Sequence, residues 1–139
     1  MKAIKNFNVA LVLCLLFFVS CQNDDNDDVR SDAQAVVTVK DDAGNILPGV
    51  TVKMYDEAAY AEFEKDNLTK PVMTAVTDSK GKATFQFGYD AWFLLKKDRF
   101  FTFVVQFGGG DVNYEIWSSG KTIRPGEVVE AEIKLEGYP

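Results

Sequence analysis

The residue types that most often carry enzymatic chemistry are scarce in this chain. It has no histidine, and its two cysteines, Cys14 and Cys21, both lie near its start. Without imidazole there is no Ser-His-Asp or Cys-His nucleophile and no histidine metal ligand. Acidic residues are plentiful, but none lies in an apolar stretch that would raise its pKa as a glycosidase general acid requires. We therefore expect no catalytic residue, no metal site, no cofactor and no enzymatic activity.

Aromatic side chains are the remaining candidates for ligand chemistry. Tyr89 and Trp92 lie in a connection between predicted strands, and Trp117 shares a strand phase with Asn113 and Glu115. Rings stack on the C–H faces of sugars, while carboxylates and amides bind sugar hydroxyls. These five residues are therefore the candidate ligand-binding residues, with an indole on a polar strand face.

A structural role for the same tryptophans is the competing interpretation, and it is the one we favour. In this interpretation Trp92, Phe93 and Leu94 close one end of a hydrophobic core. Trp117 then packs under a helical insertion that the sequence also predicts. The two interpretations differ in whether the indoles are exposed to solvent.

The first 20 residues have the three parts of a signal peptide. Lys2 and Lys5 give a positive start, Val9–Val19 is an apolar run, and Ser20 is the small residue before the cleavage site. At 1.5 Å per residue the run spans about 17 Å, too short for a hydrocarbon core of about 30 Å. We predict a cleaved leader over residues 1–20 rather than a membrane span.

Phe18-Val19-Ser20-Cys21 resembles the lipobox of bacterial lipoproteins, with Phe18 where Leu is usual. The resemblance implies that cleavage falls between Ser20 and Cys21 and that the Cys21 thiol carries a diacylglyceryl group. The new amino group is often acylated as well, and two or more acyl chains make membrane anchoring stable. An ordinary signal peptide that ends beside a cysteine is the alternative.

An acidic segment follows the cysteine. Residues 22–28 include four aspartates and no apolar side chain, so we predict a solvated tether over residues 21–33. The run resembles the acidic export signal of Bacteroidetes-type surface lipoproteins, which implies transport to the outer face of the outer membrane. A plain charged spacer and, more remotely, a calcium site are the alternatives.

The net charge narrows the range of partners. The chain carries −6, and the loss of Lys2 and Lys5 with the leader makes the mature protein more acidic. Such a surface repels nucleic-acid phosphates and anionic lipid headgroups. We expect neither as a partner, apart from the membrane that holds the anchor.

From Gln34 onward the sequence shows the period-two alternation of half-buried strands. Two strands are predicted around Val37–Lys40 and Val50–Tyr55. Five more are predicted at Val72–Thr77, Lys82–Phe87, Phe100–Phe107, Asn113–Ser118 and Val128–Leu135. Because the crossover helices of parallel strands are missing, we predict one all-β domain over residues 34–137, a seven-stranded antiparallel sandwich.

One segment between the second and third strands departs from alternation. Asp56 can cap a short helix over Glu57–Lys65, in which residues 59 and 63 stack one turn apart. A helix this short is marginal alone, so we expect Tyr60 or Phe63 to pack on the edge of the sandwich. The insertion is predicted to decorate the fold and to carry no chemistry.

Glycines and aspartates mark the turns between these strands. Gly44 and Gly49 flank the connection after the first strand, and Asp78 and Gly81 lie in the turn before the fourth. Asp78 is expected to accept backbone hydrogen bonds across the turn that Gly81 closes. We assign these four residues a structural role.

Val37–Val52, Thr77–Phe85 and Ile123–Glu127 together resemble the carboxypeptidase regulatory-like domains. The resemblance covers about residues 35–135 and implies a transthyretin-like (prealbumin-like) sandwich, close to the Cna-B-type modules of surface proteins. We therefore expect a non-catalytic, lipid-anchored cell-envelope module, an interaction or accessory component of a surface complex with an envelope protein as partner. The alternative is a glycan-binding surface lipoprotein of a carbohydrate-uptake system.

Overall fold

A computed structural model describes residues 31–109 and 112–138 of the chain. Within these ranges the strands are β1 Ala33–Asp41, β2 Thr51–Tyr55, β3 Met73–Val76, β4 Lys82–Phe87, β5 Arg99–Gly109, β6 Val112–Ile123 and β7 Val128–Leu135. The helices are α1 Glu57–Lys65 and α2 Tyr89–Trp92. The predicted leader, the cleavage site at Ser20 and Cys21, and most of the tether lie outside the described residues.

The strands form two sheets, with the orders β4-β1-β7 and β3-β2-β5-β6. The predicted all-β fold with seven strands is confirmed, but the prediction that all strands are antiparallel is wrong. β1 and β7 run parallel, from Gln34 beside Val128 to Asp41 beside Leu135. This pair needs no crossover helix, because the chain between its two strands includes the entire four-stranded sheet.

The hydrophobic core lies between the sheets, where the alternating residues of both sheets meet. The rings of Phe85 and Phe103 face each other across it with centroids 5.1 Å apart, and those of Phe87 and Phe101 are 4.6 Å apart. The other large buried side chains are Met54, Phe93, Ile123, Ile133, Leu135, Val37 and Val39. Burial of each such side chain stabilises the fold by roughly 1.5–3 kcal/mol relative to exposure.

The helix α1 covers the outer face of the four-stranded sheet. Its N-cap is Asp56, whose carboxylate accepts a hydrogen bond from the Ala59 N–H at 2.9 Å. Phe63 packs on Tyr55 and Val104, which point away from the core on the two central strands. The predicted helix is thus present, but it packs on the sheet face rather than on the sandwich edge. Its cover explains why Tyr55 is fully buried on the outward phase of β2.

The two ends of the sandwich are formed by different elements. The end where Ala33 begins β1 beside Phe87, and where Arg99 begins β5, is called the base. The opposite end, where Asp41 ends β1 beside Leu135, is called the tip. The nine residues of β1 separate the two ends by about 30 Å at 3.3 Å per residue.

Neither helix in the described part of the chain has the length and apolar character needed to cross a bilayer.

Candidate functional site

The connection between β4 and β5 closes the base of the core. Phe93 is fully buried there, and Trp92 is half-buried against the same core. The Trp92 ring meets Phe87 and Phe101 edge-on, with centroids 5.8 and 5.3 Å away. Tyr89 packs on the core beside them. Trp92 and Tyr89 therefore act as a plug for the core and do not form an open platform.

A partly buried ion pair fixes this connection to α1. The Arg99 guanidinium donates to both carboxylate oxygens of Glu57 at 2.9 to 3.3 Å and to the Trp92 carbonyl at 2.8 Å. The Phe100 N–H donates to Glu57 Oε2 at 3.1 Å. Burial alone would raise the pKa of Glu57, but the hydrogen bonds from Arg99 and Phe100 lower it to about 2. The base is thus held by a carboxylate that is ionised at neutral pH.

Leu94 and Leu95 follow the plug and point into solvent. They are 61% and 99% exposed. The expectation that Leu94 belongs to the core is therefore wrong, because the core at this end is already filled by Phe93 and Trp92. Lys96 comes next, with its Nζ 3.9 Å from Glu57 Oε2.

Trp117 lies near the tip, opposite Val105 on β5. Its indole Nε1 donates to the Glu136 carbonyl at 3.1 Å. The ring stands edge-on to Phe107 and Tyr138, with centroids 6.0 and 6.3 Å away, while Phe107 and Tyr138 stack at 5.0 Å. We call Phe107, Trp117 and Tyr138 the tip cluster.

The tip cluster corrects two expectations about Trp117. The indole is half-buried against the core rather than displayed on a polar face, and α1 covers Tyr55 and Val104 elsewhere, so the insertion does not cover it. Ser119 points to the same side of β6 as Trp117. A polar side chain is tolerated there because β6 is an edge strand, whose inward side chains remain within reach of water. A groove of about 420 Å³ opens there, lined by Thr38, Lys82, Ser119, Lys121, Glu130, Ala131 and Glu132.

The predicted ligand-binding residues do not form a single site. Tyr89 and Trp92 lie at the base, whereas Trp117 and the exposed Glu115 lie toward the tip. Trp92 contacts Phe101, whereas Trp117 pairs with Val105. Phe101 and Val105 are about 13 Å apart along β5. The side chain of Asn113 lies outside the described residues.

The tip combines aromatic rings with carboxylates in a way that the sequence did not predict. A shallow cavity of about 220 Å³ is lined by Asp41, Asp42, Ala43, Leu47 and Tyr138. The Asn45 N–H donates to Asp41 Oδ1 at 2.8 Å, and this hydrogen bond lowers the pKa of Asp41. Tyr138 was missed because it follows the last strand, where no alternation signals its packing.

The turn before β4 has the geometry of a backbone cap. Asp78 Oδ1 accepts hydrogen bonds from the N–H groups of Lys80 at 2.8 Å and Lys82 at 3.1 Å, and the bonds from Lys82 and Lys80 lower the pKa of Asp78. Gly81, with φ at +74°, lets the chain reverse there. Gly49 and Gly44 also have positive φ, at 75° and 91°. All four residues lie in turns, away from the aromatic groups at the base.

Among the residues that the structure describes, no group of three or more His, Cys, Asp or Glu side chains is placed to hold a metal ion.

Comparison with known proteins finds similarity only at the level of solved structures. No family model and no curated protein matches the chain. It is similar to the Bacillus anthracis TIE protein, with a TM-score of 0.44 and 20% identity over 75% of this chain and 16% of that one. It is also similar to the shaft pilin spaA from Lactobacillus rhamnosus GG, with a TM-score of 0.45 and 14% identity over 76% of this chain and 49% of that one.

The chain thus spans less than half of each of these two proteins. At this degree of likeness they carry no argument about activity or partners. The description of the chain as a β-sandwich depends on its own strand pairing.

Proposed function

We propose that the chain is a non-catalytic module of the cell envelope, anchored in the outer membrane through lipid on Cys21, that presents the tip of its sandwich to an envelope protein. Support for the anchor comes from the lipobox-like Phe18-Val19-Ser20-Cys21 and the acidic residues after it. Support for an interaction role comes from the tip cluster. Phe107 and Tyr138 are more than one-third exposed there, and Tyr138 lines a cavity with Asp41 and Asp42.

The observation that carries this proposal is that the N-terminal segment and the tip lie at opposite ends of the sandwich. The N-terminal segment enters at the base, where Asp32 Oδ1 accepts a hydrogen bond from the Tyr89 N–H at 3.0 Å. The tip lies about 30 Å away along β1. A domain held by its N-terminal side therefore directs its aromatic and acidic tip away from the membrane.

The charge state of the carboxylates supports a non-catalytic role. Asp41, Glu57 and Asp78 each have a lowered pKa, the first and last through backbone hydrogen bonds from Asn45 and Lys82 respectively. A general acid at neutral pH needs the opposite shift. These three groups serve turns and the base ion pair instead.

The anchor is tested with the two cysteines of the chain. Cys21→Ser is expected to abolish incorporation of a labelled fatty acid and to release the protein from the membrane fraction. Cys14→Ser is the matched control, because it removes a thiol from the apolar leader and leaves the lipobox intact. Mass spectrometry that finds an unmodified Cys21 in the native protein would contradict the proposal.

The tip is tested by photo-crosslinking in intact cells. A photoreactive residue in place of Asp42 is expected to give one defined adduct with an envelope protein, and Tyr138→Ala is expected to abolish it. The same photoreactive residue at Thr84, which is exposed on the three-stranded sheet, is the control. Equal adducts from both positions would show that the tip has no special role.

A glycan as the ligand of the tip is the second candidate function. It is favoured by one observation, the placement of Tyr138, which packs with the rings of Phe107 and Trp117, in the same cavity as Asp41 and Asp42. Oligosaccharides should then change the emission of Trp117 in a Trp92→Phe variant, and Tyr138→Ala should remove the change. Unchanged emission across neutral and charged oligosaccharides would leave the protein partner as the function of this surface.

A further inference from the structure

We propose that the loop at the base containing Leu94 and Leu95 is a second membrane contact, which seats the domain on the lipid surface that holds its anchor. The inference rests on the proposed anchoring at Cys21. It assigns a role to side chains that neither the core nor the tip uses. Leu95 is 99% exposed and Leu94 is 61% exposed.

The loop is held in place rather than left free to fold back onto the protein. Just before it, Phe93 is buried and Trp92 packs against Phe101. Just after it, Arg99 bonds both the Trp92 carbonyl and Glu57. Both sides of the leucine pair are therefore fixed, and the pair projects from a rigid base.

The location of the loop identifies the membrane as the surface that it contacts. The segment leading from Cys21 enters the domain at Asp32, which bonds the Tyr89 N–H in the same connection. Leu95 follows Tyr89 by six residues, so it lies within about 22 Å of that point even for a fully extended chain. The point where the tether joins the domain and the exposed leucines thus lie at the same end of the described structure.

The side chains around the leucines suit an interface between water and hydrocarbon. Single exposed apolar residues are common on proteins and need no explanation, but an adjacent pair at the anchored end is a different case. Lys96 follows the pair, and its long side chain is 67% exposed, so its charge can stay in the headgroup layer. Val128, 67% exposed, adds a third apolar side chain where β7 begins at the base.

The apolar side chains of this loop limit the expectation, drawn from the net charge, that the protein is repelled by anionic lipid headgroups. The overall acidity of the chain opposes binding to an anionic surface, but it acts on the molecule as a whole. Insertion of leucines depends on apolar area and needs no anionic lipid. The anchor supplies the local concentration that a loop of two leucines would not achieve alone.

The test uses the two tryptophans of the chain, one at each end. The lipidated full-length protein is inserted into phosphatidylcholine vesicles, with or without bromine atoms in the upper acyl chain as a fluorescence quencher. In Trp117→Phe, the remaining Trp92 should lose roughly half its emission, since interfacial side chains enter the bilayer by about 5–10 Å. In Trp92→Phe, the remaining Trp117 at the tip should lose none.

The leucines are tested in the Trp117→Phe background. Leu94→Ser with Leu95→Ser should restore the Trp92 emission without unfolding the domain, because both side chains are exposed. Leu68→Ser is the matched control, a similarly exposed leucine on the loop after α1. Should Trp92→Phe fail to fold, the comparison of the wild type with Trp117→Phe still separates the two emitters.

The outcomes separate this inference from the proposed function. Vesicles that carry the protein but leave Trp92 unquenched would overturn the loop contact and keep the anchor. The same holds for quenching that the two serine substitutions do not change. A protein that does not float with the vesicles at all would overturn the anchor, and the loop contact with it.

Discussion

Gly81 and Gly49 have almost the same backbone conformation, with φ at +74° and +75°, but different surroundings. A Cβ on Gly81 would lie 2.8 Å from Ile46 Cβ and 3.2 Å from both the Leu47 nitrogen and the Val39 carbonyl oxygen. A Cβ on Gly49 would meet nothing within 4 Å. The pair therefore separates backbone strain from crowding.

We predict that Gly49→Ala destabilises the fold by about 1 kcal/mol, the strain of a left-handed residue alone. Gly81→Ala should cost about 3 kcal/mol, since overpacking against fixed backbone atoms is added to that strain. Urea denaturation of the two variants checks the difference. Equal losses would mean that the turn shifts to make room for the methyl group.

Glu57 gives the fold a defined dependence on pH. Folding lowers its pKa from 4.5 to about 2, so the ionised carboxylate stabilises the folded state above pH 4.5 and loses this effect as the pH falls toward 2. Because 37% of the side chain is exposed, solvent screening limits the contribution to roughly 1–2 kcal/mol.

We therefore predict that Glu57→Gln lowers the free energy of unfolding by about 1–2 kcal/mol at pH 7. The difference from the wild type should shrink steadily in acid and vanish near pH 2. Denaturant titrations from pH 7 to pH 2 measure it. A difference that does not depend on pH would assign the effect to lost packing instead of charge.

At the scale of the element, α1 depends on the sheet face that it covers. Phe63 is 5% exposed and its ring lies 4.7 Å from that of Tyr55. We predict that Phe63→Ala costs about 3 kcal/mol and increases hydrogen exchange throughout α1, because the helix loses its main contact. Leu68→Ala, 64% exposed, should change stability by less than about 0.5 kcal/mol. Unchanged exchange in α1 would show that the helix is held by its ends.

Alternation predicted most strands correctly because it reports which residues share a face. It did not predict the neighbour of each strand, so the parallel pairing of β1 with β7 was beyond it. Alternation also does not indicate which face of an edge strand points toward the core. On β6 the phase of Trp117 and Ser119 looks polar, yet Ile123 on that phase is fully buried. The exposed leucines were missed for a similar reason, since Leu94 and Leu95 look like core residues.

At the scale of the whole molecule, the three-stranded sheet is completed only by the last strand. β7 places Ala131, Ile133 and Leu135 in the core and pairs with β1 from Gln34 to Asp41. We predict that a chain ending at Glu127 fails to unfold cooperatively, because it exposes that core and leaves β1 with one neighbour. Thermal unfolding by circular dichroism measures this. A sharp transition in the shortened chain would show that β4 alone suffices to hold β1.

The parallel pairing of the first and last strands also has a consequence for the export that we propose. During export a polypeptide passes through a narrow channel one residue after another, and any folded portion blocks the way. Here the first strand gains its second neighbour, after β4, only when residues 128–135 are available. Contacts so distant along the chain form slowly. Under the proposed export, the three-stranded sheet would therefore stay incomplete until the last strand has passed through the channel.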